Sequence, residues 1–283
     1  MNNHLLARFA LKYNPFTPDI PTDGLYAHPK IEQFTWRIEH SLIREGGFAL
    51  ISGEPGTGKS VILRILANKL KDMRDVHVGA IQHPSGRLSD FYRELGDLFG
   101  VPLCTNNRWH SFKTLRERWS AHLESTLLRP VLLIDEAQDM SADILNELRL
   151  LSSMQFDSRI LLSVILAGDK RLNDKLRRDD LLPLGSRIRL RFQTEYASSD
   201  ELRETLSYLL EKAGNPHLMT TTLMQTLCDH AMGNYRALCI MAGELLTLAS
   251  QQDRQELDEQ LFFECFAPTK PSSKPKLTNG ERR

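Results

Sequence analysis

Gly53-Glu54-Pro55-Gly56-Thr57-Gly58-Lys59-Ser60, continued by Val61, is the stretch whose reading decides the fold. It follows an apolar run at residues 48–52 and opens a segment, 60–71, whose apolar residues recur at helical spacing. Strand, glycine-rich turn and helix in that order have a physical purpose. The glycines permit backbone angles that turn successive N–H groups inward around an anion, and the helix N-terminus adds partial positive charge. Lys59 is placed to reach the β- and γ-phosphates of a nucleotide, and the Ser60 hydroxyl to ligate Mg²⁺. The bare pattern arises by chance in roughly one chain of this length in a hundred. The additional Gly56 and the strand–turn–helix setting make a plain glycine-rich turn the weaker reading.

Further along, the apolar run 131–134 ends in Asp135-Glu136. Residues at the carboxyl end of a buried parallel strand project into the ligand crevice. There Asp135 would hold Mg²⁺ through water, and Glu136 would orient and deprotonate the attacking water. Alone, the pair fits a strand end followed by a solvated helix cap equally well. With residues 53–60 upstream it implies binding and hydrolysis of ATP.

Apolar runs at 48–52, 76–82, 131–134, 161–167 and 188–192 alternate with helical patterns at 60–71, 88–99, 112–127 and 141–153. That alternation predicts an α/β fold with a parallel five-stranded sheet flanked by helices. After Glu195 the texture changes: Ser198 with Glu201 forms a capping box, and helices are predicted up to Gly214 and over 221–233, 235–250 and 257–266. The expected organisation is a core over 1–195, a small all-helical lid domain over 196–267 and a disordered basic tail over 268–283.

Composition narrows the classes. The 283 residues are 41% hydrophobic, enough for a buried core, and 36 basic residues balance 36 acidic ones. Nucleic-acid binding would therefore need a local patch. Cys104, Cys228, Cys239 and Cys265 are dispersed and read as reduced thiols packed in helices. No secretory leader is evident, and no apolar stretch approaches the ~18 residues of a membrane span. A cytoplasmic protein is expected.

Three more residues suit the nucleotide site. Asp169 ends the run 161–167 plus Gly168, where it would sense the γ-phosphate or cap a turn or helix. Arg187 precedes the last strand and suits an arginine finger acting on a neighbouring subunit, with Arg189 and Arg191 as rivals on the same stretch. Arg236, in Gly233-Asn234-Tyr235-Arg236, would fold over the nucleotide or remain a surface arginine.

With these residues in hand, the chain resembles the AAA+ ATPases of the ExeA/TniB/TnsC group, which includes the Mu phage B protein. The resemblance covers about residues 10–266 and rests on Asn14-Pro15-Phe16, the 53–60 loop, LLIDEAQ at 132–138, LAGD followed by KRL, LGSRI and GNYRAL. It implies a P-loop NTPase fold of the AAA+ type, with Asn14, Pro15 and Phe16 near the adenine. Asp169 departs from the Asn, Thr or Gln usual in the group. A nucleotide-dependent homo-oligomer, ring or filament, is implied as well. Two roles follow from the group: transposition regulators that assemble on double-stranded DNA and recruit a transposase, and secretion ATPases followed by a membrane segment and a wall-binding part. The lack of such parts within these residues favours transposition. For DNA, the candidate contacts are Arg87 in the loop 82–87, and Arg108 and Lys113 in a stretch continuing to Arg116 and Arg118. Trp109, Phe112, Leu115 and Trp119 recur there at near-helical spacing and read as core.

Overall fold

A computed structural model describes residues 2–84, 86–104, 106–155 and 158–266; the expected tail at 268–283 lies outside them. The chain begins with helices α1 (Asn2–Arg8), α2 (Pro29–Arg37) and α3 (Ile43–Glu45), the last two joined by a π-helical stretch, Ile38–Leu42. Strand β1 (Gly47–Gly53) leads into α4 (Lys59–Lys71), then β2 (Val76–Ile81), α5 (Leu88–Phe99), α6 (Arg108–Ser125) and β3 (Arg129–Ile134). Helix α7 (Ala142–Ser152) precedes a short hairpin, β4 (Ser153–Met154) and β5 (Arg159–Ile160). Then come β6 (Ser163–Gly168), α8 (Lys170–Leu176), α9 (Leu182–Gly185) and β7 (Ile188–Thr194). Four helices follow: α10 (Ser199–Ala213), α11 (Thr221–Ala231), α12 (Tyr235–Gln251) and α13 (Glu259–Phe266).

The main sheet has five strands in the order β2-β3-β6-β1-β7, every neighbouring pair parallel. Its three central strands are apolar without alternation because both faces are covered. Phe48, Leu50, Leu132, Ile134, Val164 and Leu166 pack towards Phe91, Trp119, Ile144 and Leu172 of α5 to α8. The intervening Ala49, Ile51, Val131, Leu133, Ile165 and Ala167 face Phe34, Ile38, Ile62 and Leu66 on the other side. The edge strand β7 instead alternates, burying Leu190 and Thr194 and exposing Arg189, Arg191 and Gln193. Register places Ser52 level with Gly168, and Ile134 level with Leu166. The 53–60 loop, Asp135 and Asp169 therefore leave the same carboxyl edge.

The helical part has its own core, built on Leu202, Leu206, Leu227, Leu238, Leu245 and Leu261. Phe9, Leu11 and Phe16 from the chain start belong to it, and Lys12 N–H donates to Ala213 O at 2.7 Å. A smaller cluster of Ile20, Leu25, Ile65 and Leu209 joins that part to α4. Arg64 reinforces the junction by donating to the carbonyls of Pro18 and Ile20 at 2.5 and 2.6 Å.

Several local expectations shift. Helix α6 starts at Arg108 rather than 112, because the Asn107 side chain accepts from His110 N–H and caps it there. Leu115 and Trp119 are core as their spacing predicts, yet Trp109 is 69% exposed and stacks on Phe112. Leu161 and Leu162 are buried but precede β6, since both direct their N–H groups to Ser152 O and close the β4–β5 hairpin. Cys104 lies in the exposed loop between α5 and α6 and not in a helix.

Candidate active site

The loop after β1 is a cradle lined by backbone. Gly56 and Gly58 adopt φ of 82° and 94°, the left-handed region that suits glycine, and no side chain caps the N-terminus of α4. The Lys59 ammonium folds back across the loop, donating to the carbonyls of Gly53 at 2.9 Å and Glu54 at 3.0 Å. Thr57 Oγ1 donates to Glu54 O at 2.7 Å and meets Thr194 Oγ1 at 2.6 Å, tying the loop to the end of β7. The Glu54 carboxylate pairs with Lys170, and Pro55 remains exposed. Ser60 is exposed on the first turn of α4, while Val61 packs against the cluster around Ile20 and Leu25.

Asp135 and Glu136 arrive from β3, two strand positions away from β1, or about 10 Å at ordinary strand spacing. Glu136 has φ 49°, an uncommon left-handed value for a residue with a side chain. Its N–H donates to Asp135 Oδ1 at 2.9 Å, and its carboxylate accepts from Gln138 Nε2 at 2.5 Å. Asp169 caps α8: its carboxylate accepts from Arg171 N–H and from Arg171 Nε, both at 2.8 Å. That is the capping alternative weighed from the sequence. What reaches from Asp169 towards Glu136 is its backbone N–H, which donates to Gln138 Oε1 at 3.2 Å.

Above the loop stands the start of α12. Asn234 caps that helix by accepting from Ala237 N–H at 3.1 Å, and its amide donates to Pro55 O at 3.3 Å. A side chain at Gly56 would overlap Asn234. Arg236, exposed, is the second residue of α12, directly beside this contact. Asn14, Pro15 and Phe16 form a turn in which Asn14 Oδ1 accepts from Phe16 N–H at 3.0 Å. Pro15 and Phe16 are buried, and Phe16 borders a cavity of about 420 Å³ along α12 with Cys239 and Gly243.

Arg187 is not beside its own loop. Phe48 is level with Ile188 and Gly53 with Thr194, so Arg187 sits at the opposite end of the sheet, roughly 20 Å away along the strand. It donates to Pro183 O at 2.9 Å and lines a shallow cavity with Phe112, Arg116 and Arg149. Of its rivals, Arg189 pairs with Glu45 at 2.8 Å and donates to Gly46 O, and Arg191 donates to Gly185 O at 3.1 Å.

The DNA candidates separate. Arg87 is exposed at the start of α5, and Lys113 makes only a loose 3.7 Å pair with Glu117, both exposed. Arg108 is engaged internally: its Nε and Nη2 donate to the two oxygens of Glu147 at 3.0 and 2.5 Å. Glu147 is buried and also accepts from the Tyr92 hydroxyl. The hydrogen bond to Glu147 and its negative charge raise the Arg108 guanidinium above its ordinary value, and burial pushes the Tyr92 phenol well up. Sequence reasoning missed Tyr92, Glu147 and Thr194. Gln138, Lys170 and Asn234 carried a signal, but only as parts of the motifs that mark the family resemblance.

Sheet order, phosphate cradle and strand-end carboxylates define a P-loop ATPase of the AAA+ class, and residues 43–176 match the AAA domain family. That match covers just under half of the chain. Among particular proteins, it is 30% identical over 245 residues to General secretion pathway protein A of Aeromonas hydrophila, covering 85% of this chain and 44% of that protein. The chain thus spans less than half the length of this curated relative. Among solved structures, Cdc6p from Pyrobaculum aerophilum superposes with a TM-score of 0.69 at 20% identity, over 86% of this chain and 67% of that one. Drosophila ORC bound to DNA gives 0.68 at 17%, over 93% and 65%. At such identities the likeness is one of fold.

Proposed function

We propose that the chain is the Mg²⁺-ATP-hydrolysing module of a secretion apparatus, working as a homo-oligomer on the cytoplasmic side. The observation that carries the secretion role is the 30% identity over 245 residues to General secretion pathway protein A. The expectation of transposition rests on missing membrane and wall-binding parts. Because this chain spans under half of that relative, the ground loses its weight. No helix among the described residues is long and apolar enough to cross a membrane, so a partner or further chain would supply that link.

In this reading the N–H groups of residues 56–61 cradle the phosphates, and Lys59 exchanges the carbonyls of Gly53 and Glu54 for the β- and γ-phosphates. The residues suit Mg²⁺: Ser60 and Asp135 offer hard oxygen donors, and no self-sufficient cluster of three or more ligating side chains occurs among the described residues. Such a sparse set fits an ion shared with substrate phosphates, which would neutralise developing charge there. Glu136 takes the proton from the attacking water. Arg187 reaches the γ-phosphate of a neighbouring subunit, since its own lies too far. Asn14, Pro15, Phe16 and Arg236 line the base side and the lid, and Asp169 supports the γ-phosphate end through its backbone.

Two experiments test this. Lys59→Ala should lose nucleotide affinity, whereas Glu136→Gln should bind ATP and stall; parental turnover by the Gln variant refutes the base. In cells lacking the chain, secreted proteins should accumulate inside the envelope and be released by the parental form but not by Glu136→Gln. Normal export without the chain would sink the secretion role.

A second reading has some support. The fold is shared with ORC bound to DNA, and Arg87 and Lys113 are exposed cations, which suits a transposition regulator that assembles on double-stranded DNA and recruits a transposase. It predicts an ATP-dependent gel shift of random duplex; no shift at low salt counts against it.

A further inference from the structure

We infer that Gln138 is the positioning residue of the hydrolytic centre, holding the Glu136 carboxylate in line and coupling it to the start of α8. The inference rests on Glu136 being the base. Gln138 is 6% exposed, and both ends of its amide are used. Asp169 N–H can only donate, so Gln138 Oε1 must face it; Nε2 is thereby turned to Glu136 Oε2, at 2.5 Å. The orientation is thus forced by chemistry.

Everything around the amide serves that seat. Lys175 Nζ holds the carbonyls of Gln138 and Met140, each at 2.7 Å, and so fastens the 138–140 turn to α8. At Gly168 any side chain would come within 2.6 Å of Gln138 Oε1 and 2.8 Å of Leu172, so the seat requires glycine there. Glu136, at φ 49°, leaves β3 in a left-handed turn that directs it away from the strand. A glutamate with three free torsions would sample many orientations about the attacking water. One short bond from a buried, doubly anchored amide removes that freedom, as rate enhancement by orientation requires.

The same amide makes α8 a neighbour of the chemistry. Its first residue, Lys170, pairs with Glu54 of the phosphate loop, while Asp169 N–H holds Gln138. A shift of the β6–α8 junction would therefore reach the loop and the base together.

The test compares Gln138→Met, which has similar length and no amide, with Gln138→Glu, which keeps an acceptor for Asp169 N–H but loses the donor to Glu136. Turnover, affinity for a fluorescent ATP analogue and thermal midpoint are measured for both, alone and with Glu136→Gln. The Met variant should lose about tenfold or more in kcat with nucleotide affinity held within about twofold. The Glu variant sets a second carboxylate against Glu136 in a buried seat, so its midpoint should fall and kcat should not be restored. With Glu136→Gln already present, Gln138→Met should change residual turnover less than about twofold, because it acts through the lost group. A crystal structure of the Met variant should show the Glu136 carboxylate displaced. Parental kcat in the Met variant, rescue by the Glu variant, or losses that multiply in the double variant would each overturn the inference. Should Glu136→Gln itself hydrolyse at the parental rate, the base assignment fails first and takes the inference with it, a result distinct from failure of Gln138 alone.

Discussion

Arg108→Ala is the perturbation whose size the structure sets most directly. Arg108 opens α6 and holds both oxygens of Glu147 on α7, whose side chain is 2% exposed against 57% for the arginine. Breaking a fully buried ion pair costs about 3–5 kcal/mol, because the remaining charge stays desolvated. Two features reduce that figure. The guanidinium is more than half in water, so its attraction is partly screened, and Tyr92 still donates to the stranded carboxylate. The expected loss is about 2 kcal/mol. With a urea dependence of about 3 kcal/mol per molar, the midpoint should fall by roughly 0.7 M at unchanged slope. Adding Glu147→Gln should recover at least about half the loss, since the amide carries no charge to strand. A midpoint within about 0.2 M of parental, or a double variant no better than the single, would refute the ion-pair account. If Arg108 instead serves a DNA phosphate, stability should be untouched and the salt slope of duplex binding should drop by about one.

Gly56→Ala places a side chain where φ is 82° and where it would overlap Asn234. It should weaken nucleotide binding at least about tenfold in a fluorescence titration, since a left-handed alanine alone costs about 1–2 kcal/mol; parental affinity would refute the close approach. Arg187→Ala should be inactive alone and regain turnover when mixed with Glu136→Gln, because each variant supplies what the other lacks; no complementation would exclude a finger acting between subunits. Burial holds the Cys228 and Cys239 thiols protonated, pushed up to about 11, whereas Cys104 is exposed. At about pH 8 a thiol reagent should therefore label Cys104 first, half-buried Cys239 more slowly and Cys228 only on unfolding; equal rates would contradict the packing.

What could be read without coordinates follows from chemistry that is local in sequence. Residues 53–60 and the 131–136 strand end declare themselves because a phosphate cradle and a buried strand each need particular residue types in immediate succession. Ser198 and Glu201 likewise act within one turn, and both halves of their capping box are present. Long-range partnerships were not legible. Nothing near Arg108 announces that its partner is Glu147, 39 residues on, and a basic, aromatic stretch looks the same whether it faces phosphate or a buried carboxylate. Asp169 illustrates the converse. An acidic residue after a strand suits a sensor or a helix cap equally well, and only the bonds to Arg171 show where the carboxylate goes. Trp109 misled because helical spacing records which residues share a face, without saying whether that face is covered.

The bond from Asn234 to Pro55 has a mechanical consequence. Helix α12 has 17 residues, hence a rod of roughly 25 Å, and its first turn is anchored on the loop that grips phosphate. A tilt of about ten degrees at that anchor would swing the far end by roughly 4 Å, carrying α13 with it. The phosphate loop thus sits at the short end of a lever, and the surface around Phe263 at the long end.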